Sequence, residues 1–405
     1  MATIAVLGTL DSKGHEHAFV AERIRELGHQ TLLIDVGTGG PPQIRPDVSR
    51  EEVAAAGSLD LPALTGRADR GECVSAMAAA APKLLERLCS EGRIQGVIAL
   101  GGGGGTAIAS AAMRALPIGF PKLIVSTMAS GNTAHYVGTK DITMMPGIVD
   151  VNGLNRISRT IFSRAAGAIC GMVSVSVSTD STKPVIVASM FGNTTGCINA
   201  AIPLLEKEGY EVLVFHATGT GGRMMESLIE SGMVSGVLDI TTTELADELV
   251  GGVLTAGPDR VEAAGRAGIP AIIVPGCLDM VNFGERSSVP AKFEGRNFYI
   301  HNPQITLMRT TPAECSQLGT MLARKINTYS GPVTVLIPRL GISIISAKGG
   351  PFFDPAADAA LFDSLTSHLR PDVKVIPLDC EINDPVFAQA CVDALIGNIR
   401  MAERS

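Results

Sequence analysis

Strand-sized apolar runs alternate with helix-spaced apolar residues from one end of this chain to the other. Ile4-Ala-Val-Leu7 reads as a strand, and Val20, Ile24 and Leu27 mark one face of a following helix. Thr31-Leu-Leu-Ile34, Val97 to Leu100 and Leu123 to Val125 are further strands. Between them, Val74, Met77, Ala81, Leu84 and Leu88 fall at helical spacing, with Pro82 expected to kink or split that helix. Ser49-Arg-Glu-Glu52 has the form of a capping box. Continuous apolar strands separated by helices imply a parallel sheet covered on both faces.

The pattern then restarts. Ile4-Ala-Val-Leu-Gly-Thr-Leu-Asp-Ser-Lys-Gly14 has a counterpart in Ile186-Val-Ala-Ser-Met-Phe-Gly-Asn-Thr-Thr-Gly196. Both lead through a helix and a strand to Gly-Thr-Gly-Gly, at residues 37–40 and 219–222, with equal spacing from Gly14 to Gly40 and from Gly196 to Gly222. Gly96-Val-Ile-Ala-Leu100 likewise parallels Gly236-Val-Leu-Asp-Ile240, and Pro121 to Val125 parallels Pro270 to Val274. Leu154, Ile157, Ile161, Ala165 and Ala168 mark a long helix before a polar joint at Ser178 to Lys183. The expected architecture is α/β: two related, doubly wound, mostly parallel-sheet (Rossmann-like) domains, 1–180 and 184–405, with an interdomain cleft. Val333 to Ile337 and the helix near Ala359 to Leu369 complete the second sheet in this reading.

At 405 residues the chain exceeds one ordinary core, in keeping with two domains. Its 46% hydrophobic and 18% charged content suits a globular protein. No apolar run reaches membrane-spanning length, and a strand beginning near Thr3 leaves no room for a signal peptide. Eight scattered cysteines without ligand spacing suggest buried thiols in a reducing, cytoplasmic setting. A net charge of -7 with no basic tract argues against nucleic acid as a partner.

Within this frame, Gly101 to Gly105 stand where a strand meets a helix starting at about Thr106. Five glycines are costly in conformational entropy unless something approaches the backbone closely, and a helix start offers N–H groups to an anion. Gly101, Gly102, Gly103, Gly104, Gly105 and Thr106 are therefore expected to hold phosphate. The run lacks the Lys of a P-loop, and it carries Gly where the GGDG[TS] turn of phosphofructokinase-type enzymes has an acid. The turn Gly8-Thr9-Leu-Asp11-Ser-Lys13-Gly14 adds a cation for phosphate and, at Asp11, either a ligand to metal-bound water or a helix cap shared with Ser12.

The densest polar stretch, Ser126 to Asp141, brings Thr127, Ser130, Gly131, Asn132, Lys140 and Asp141 to a strand end, where loops commonly carry function. Asn152 is a candidate cap for the next helix. In the second half His216, a candidate acid or base, precedes glycines and Arg223. Asp239, Glu244, Asp247, Cys277, Asp279 and His301-Asn-Pro-Gln304 are further candidates, and Glu244 in Thr241-Thr-Thr-Glu244 is expected to repel phosphate there.

Thr127-Met-Ala-Ser-Gly-Asn-Thr133, Tyr136-Val-Gly-Thr-Lys-Asp-Ile142, Gly153-Leu-Asn155, Phe215 to Gly222, Asn302-Pro-Gln304 and Pro338 to Ser343 resemble the UPF0261 family over essentially the whole chain. That family is similar to the N-terminal, ATP-binding domain of the tomato virus-resistance protein Tm-1. The resemblance implies a two-part α/β protein that binds ATP with Mg2+ and forms homodimers, with ATP contacts on the matching Gly8–Gly14 turn and glycine run. It also suggests a separate phosphoenolpyruvate-hydrolase-like barrel protein as partner. Three functions are compatible with these features: a cytoplasmic ATP-binding protein; a hydrolase, lyase or transferase acting on a small phosphorylated or carboxylated compound through His216, Lys140, Asp141 and Arg223; and a non-catalytic module that responds to ATP.

Overall fold

The computed structural model describes residues 1–176 and 183–404, in two compact units, Met1–Thr179 and Asp180–Ser405. Apart from Lys183, the expected joint at 178–183 lies outside the described residues.

The first unit contains β1 (Thr3–Gly8), β2 (Gln30–Asp35), β3 (Gly96–Gly101), β4 (Lys122–Ser126) and β5 (Thr143–Pro146). They form one sheet in the order β2-β1-β3-β4-β5, every pairing parallel. Alternation along β1 supplies two cores. Ala5 and Leu7 pack with the helices Arg70–Ser90 and Gly103–Arg114, whereas Ile4 and Val6 pack with Leu10–Glu26 and Arg156–Ser174. Winding therefore reverses between β1 and β3, the place where open parallel sheets open a crevice beyond their strand ends.

The second unit repeats the scheme with β6 (Val185–Met190), β7 (Glu211–His216), β8 (Gly236–Thr241) and β9 (Ala271–Gly276). An antiparallel insert of β10 (Met280–Phe283), β11 (Phe298–Asn302) and β12 (Ile305–Arg309), in the order β10-β12-β11, precedes β13 (Val333–Pro338) and β14 (Lys374–Leu378). The parallel sheet reads β14-β13-β9-β8-β6-β7, so the local order β7-β6-β8-β9 matches β2-β1-β3-β4 of the first unit. The fold is thus α/β with two doubly wound parallel sheets. The insert, β14 and the last helix, Pro385–Ala402, have no counterpart in the sequence-based reading.

Local differences have local causes. The helix Arg70–Ser90 runs unbroken through Pro82. An interior proline costs about 3 kcal/mol; burial of Met77, Ala81, Leu84, Leu85 and Leu88, worth about 2 kcal/mol per large side chain, outweighs it. Leu10–Glu26 is capped by neither Asp11 nor Ser12, since Thr9 takes the cap position, and the helix before the joint begins after Asn155, not Asn152. Ser49 and Glu52 do close a capping box, with bonds of 3.3 and 2.8 Å. All eight cysteines are free thiols, six of them buried. Among the described residues no helix is long and apolar enough to cross a membrane.

Gly8 shows how a glycine can be fixed by packing. A Cβ there would lie 1.9 Å from Nε2 of the buried His17, whose Nδ1 sits 2.6 Å from the Lys13 carbonyl. Gly8→Ala is expected to cost about 1–3 kcal/mol through overpacking, and less in a His17→Ala background. Denaturant unfolding of the four chains of this cycle measures the coupling; equal cost in both backgrounds would refute the contact.

Candidate functional site

In the first unit, the turns after β1 and β3 open into one cavity of about 680 Å3. Thr9, Asp11, Ser12 and Lys13 line one side, Gly102 to Gly105 and Ile108 another, and Gly39 and Gly40 the turn after β2. Thr65 to Val74 close it, with Asp69 and Arg70 at the start of the helix Arg70–Ser90.

The glycine run is not a loop. Gly101 ends β3, Gly102 is the N-cap, and Gly103 to Gly105 form the first turn of a helix that begins three residues earlier than expected. None of the five has a positive φ. A Cβ at Gly101 would press on the Gly105 and Thr106 backbone at 3.0–3.1 Å, so internal packing requires that glycine. A Cβ at Gly103 meets nothing within 4 Å, and those at Gly102, Gly104 and Gly105 meet nothing closer than 3.4 Å. Gly102 stands at an N-cap, where glycine is favoured. Neither backbone conformation nor packing accounts for Gly103 to Gly105, although glycine inside a helix costs about 1 kcal/mol relative to alanine. The first-turn N–H groups of Gly103, Gly104 and Gly105 have no acceptor among the described residues, whereas Thr106 N–H already bonds the Gly102 carbonyl. The result is a bare helix start with its positive dipole end on the cavity.

A buried ion network shapes the opposite wall. Asp35, at the end of β2, accepts from Leu10 N, Gly37 N and Arg50 Nε at 3.0, 2.8 and 2.8 Å. Arg50 also donates to the Gly40 carbonyl and reaches Asp11 at 4.0 Å. Asp11 Oδ2 accepts from Gly39 N at 2.7 Å, while its Oδ1 makes no hydrogen bond among the described residues. Lys13 adopts non-helical angles and donates Nζ to the Val151 carbonyl. Arg70 lines the cavity as an exposed cation without an ion pair among the described residues.

The structure thus gathers Thr9, Asp11, Lys13 and Gly102 to Gly105. Gly8 and Gly14 are explained by His17 and Gln43 instead, since Gln43 accepts from Gly14 N at 3.0 Å and stands 2.9 Å from where its Cβ would be. Thr106 is buried, sharing a 2.6 Å hydrogen bond with Ser126. Thr127 lies beside Gly102, its Oγ1 3.7 Å from a Cβ built there. Ser130, Gly131 and Asn132 are exposed and do not line this cavity, and Asn132 caps Ala134 N. Arg70 and Thr65 escaped sequence reasoning, because only the third dimension brings those segments here, whereas Thr38 belongs to the Gly-Thr-Gly-Gly turn at 37–40.

The candidate catalytic residues divide between the units. In the first, Asp141 holds the buried Lys122 at 2.7 Å and accepts from Gly119 N, which keeps its carboxyl below the ordinary range although burial opposes this. Lys140 is half-buried beside it. In the second, His216 ends β7 with its ring 5.5 Å from that of Phe191, and the exposed Arg223 reaches Thr220 at 3.4 Å. Glu244 does not face outward to repel an anion. It is fully buried, bonded by Gly219 N, Gly222 N and Arg260, a guanidinium that also grips Asp239 and Glu226. Burial raises the Glu244 carboxyl while Arg260 opposes that rise. Burial likewise pushes the Cys277 thiol far above its ordinary range, against a nucleophile role.

Asp247 is raised from 3.8 to about 7 by burial, against hydrogen bonds from Asn282. Between those values the folded chain holds a proton that the unfolded chain has released, so this group's contribution to stability is lost as pH rises through the window. Asp247→Asn is expected to remove that slope. Urea unfolding from about pH 4 to pH 7 should therefore show the variant gaining on the parent as pH rises; a constant difference would refute the shift.

Models of the uncharacterised protein family UPF0261 match residues 2–178 as its N-terminal domain and residues 183–399 as its C-terminal domain. A UPF0261 protein of Clostridium tetani is 48% identical over 97% of this chain and 98% of its own length. A UPF0261 protein of Rhizobium meliloti is 47% identical, again over 97% and 98%. The tomato ToMV resistance protein Tm-1 is 40% identical over 96% of this chain, which spans 55% of that protein. A UDP-N-acetylglucosamine 2-epimerase from Rickettsia bellii overlaps 67% of this chain and 78% of its own at 14% identity and a TM-score of 0.22, too loose a likeness to bear on function.

Proposed function

The chain belongs to the UPF0261 family, and we propose that its first unit binds ATP, with the phosphates on the helix start at Gly103. The supporting observation is that Gly103 to Gly105 lack any backbone or packing reason to be glycine, while they line a cavity of about 680 Å3 and their amides have no acceptor among the described residues. A phosphate oxygen is the group that such amides and the helix dipole favour, and close approach is what the missing side chains permit. Arg70 adds a point charge at the rim, and the cavity's size suits a nucleotide.

Mg2+ fits the same site. Among the described residues no group of three His, Cys, Asp or Glu could hold a metal ion. Mg2+ is commonly held by one or two carboxylates together with phosphate oxygens, and the free Oδ1 of Asp11 would provide the carboxylate. The bound ion would offset phosphate charge. Asp11 in turn is oriented by Gly39 N and Arg50.

No acid or base stands beside the glycines in the position where a phosphoryl-transfer enzyme of the GGDG type has one, which favours binding over hydrolysis. Calorimetry with ATP, with and without Mg2+, tests the reading. Gly103→Val should weaken binding by about tenfold or more through steric blocking of the amides, with unfolding stability little changed because its Cβ meets nothing. Absent binding at millimolar ATP, or equal binding by the variant, would overturn the assignment.

A further inference from the structure

The second unit has its own cavity at the matching place, beyond β6 and β7, of about 350 Å3. Phe191, Phe283 and Leu307 give it apolar walls, and His216, His301 and Gln304 stand at its exposed side. Two buried amides complete it. Asn282 is fully buried; its Nδ2 donates to Asp247 at 2.6 Å and to Thr243 at 3.3 Å, and its backbone is fixed by Asp247 and Val253. That leaves Asn282 Oδ1 without a partner. Asn193, 8% exposed, spends its Nδ2 on the Met280 sulfur at 3.7 Å, and its Oδ1 also lacks a donor among the described residues.

An unmatched buried acceptor costs about 1–3 kcal/mol, and Asn282 Oδ1 beside this small cavity is one, which calls for a ligand that donates. Asn193 Oδ1, not fully enclosed, is a second acceptor there without a donor among the described residues. No Lys, Arg, Asp or Glu lines the cavity, so no fixed charge is there to pair with an ionised ligand. The Phe191 and His216 rings, tilted 36° to each other, present aromatic surface to a flat molecule. We propose that this cavity is a binding site for an uncharged heteroaromatic amide or amine, its N–H groups donating to Asn282 Oδ1 and Asn193 Oδ1 and its ring lying against Phe191. This site is independent of the phosphate site proposed for the first unit. It also gives His216, His301 and Gln304 a common purpose as polar residues that contact one ligand.

The test uses the full chain labelled with 15N-histidine and two near-isosteric probes: nicotinamide, which donates two N–H bonds, and methyl nicotinate, which donates none. Titration with nicotinamide to millimolar concentration should shift the His216 and His301 ring signals together, with methyl nicotinate weaker by about tenfold or more. Asn282→Leu should lose the difference between the probes. Because Asn282 also holds Asp247, Asn193→Leu, which removes only the weak sulfur contact, is the second variant and should weaken nicotinamide similarly. Unmoved histidine signals, equal response to both probes, or undiminished binding by a folded Asn193→Leu chain would each overturn the proposal.

Discussion

The reversal of winding beside the first strand of each sheet governs this protein. Because β2 lies on one side of β1 and β3 on the other, the helices that follow β1 and β3 cover opposite faces of the sheet. Their starting turns are therefore left apart at the strand ends, and no side chain of the sheet fills the crevice. Everything distinctive in the first unit lies at that edge: bare amides at Gly103 to Gly105, the Asp11 carboxylate and the rim cation Arg70. The same reversal between β6 and β8 opens the smaller cavity of the second unit.

One topology carries two differently lined cavities because buried arginines organise different walls. In the first unit Arg50 neutralises Asp35 and steadies Asp11, leaving one carboxylate oxygen and a bare helix start on the cavity. In the second, Arg260 takes up Asp239, Glu244 and Glu226 inside the core. Removing such an arginine would strand buried carboxylates at a cost of about 3–5 kcal/mol. With its charges consumed internally, the second cavity keeps amides, imidazoles and aromatic rings.

Much of the fold was legible in the sequence. Apolar runs such as Val97 to Leu100 are buried on both faces, and the restart at Ile186 marks a second sheet that shares the order of four strands with the first. The site was legible only in part. Gly8 and Gly103 look alike as letters, yet one accommodates His17 and the other accommodates nothing within the chain. Glu244 looks like an exposed acid at a strand end, but its partner Arg260 lies 16 residues on and folds back over it. Arg70 carries no local signal at all, since its place at the cavity comes from the packing of its helix on β1 and β3.

The sequence alone determined the α/β class, the restart of the strand pattern and the position of the glycine run at a strand–helix junction, because periodicity and backbone freedom are local properties. The tertiary structure decided which glycines are needed for packing and which are left open, and which acids are already paired. It also decided which distant polar groups share a cavity. Those outcomes depend on distances between segments far apart in the chain, and a one-dimensional pattern does not contain them.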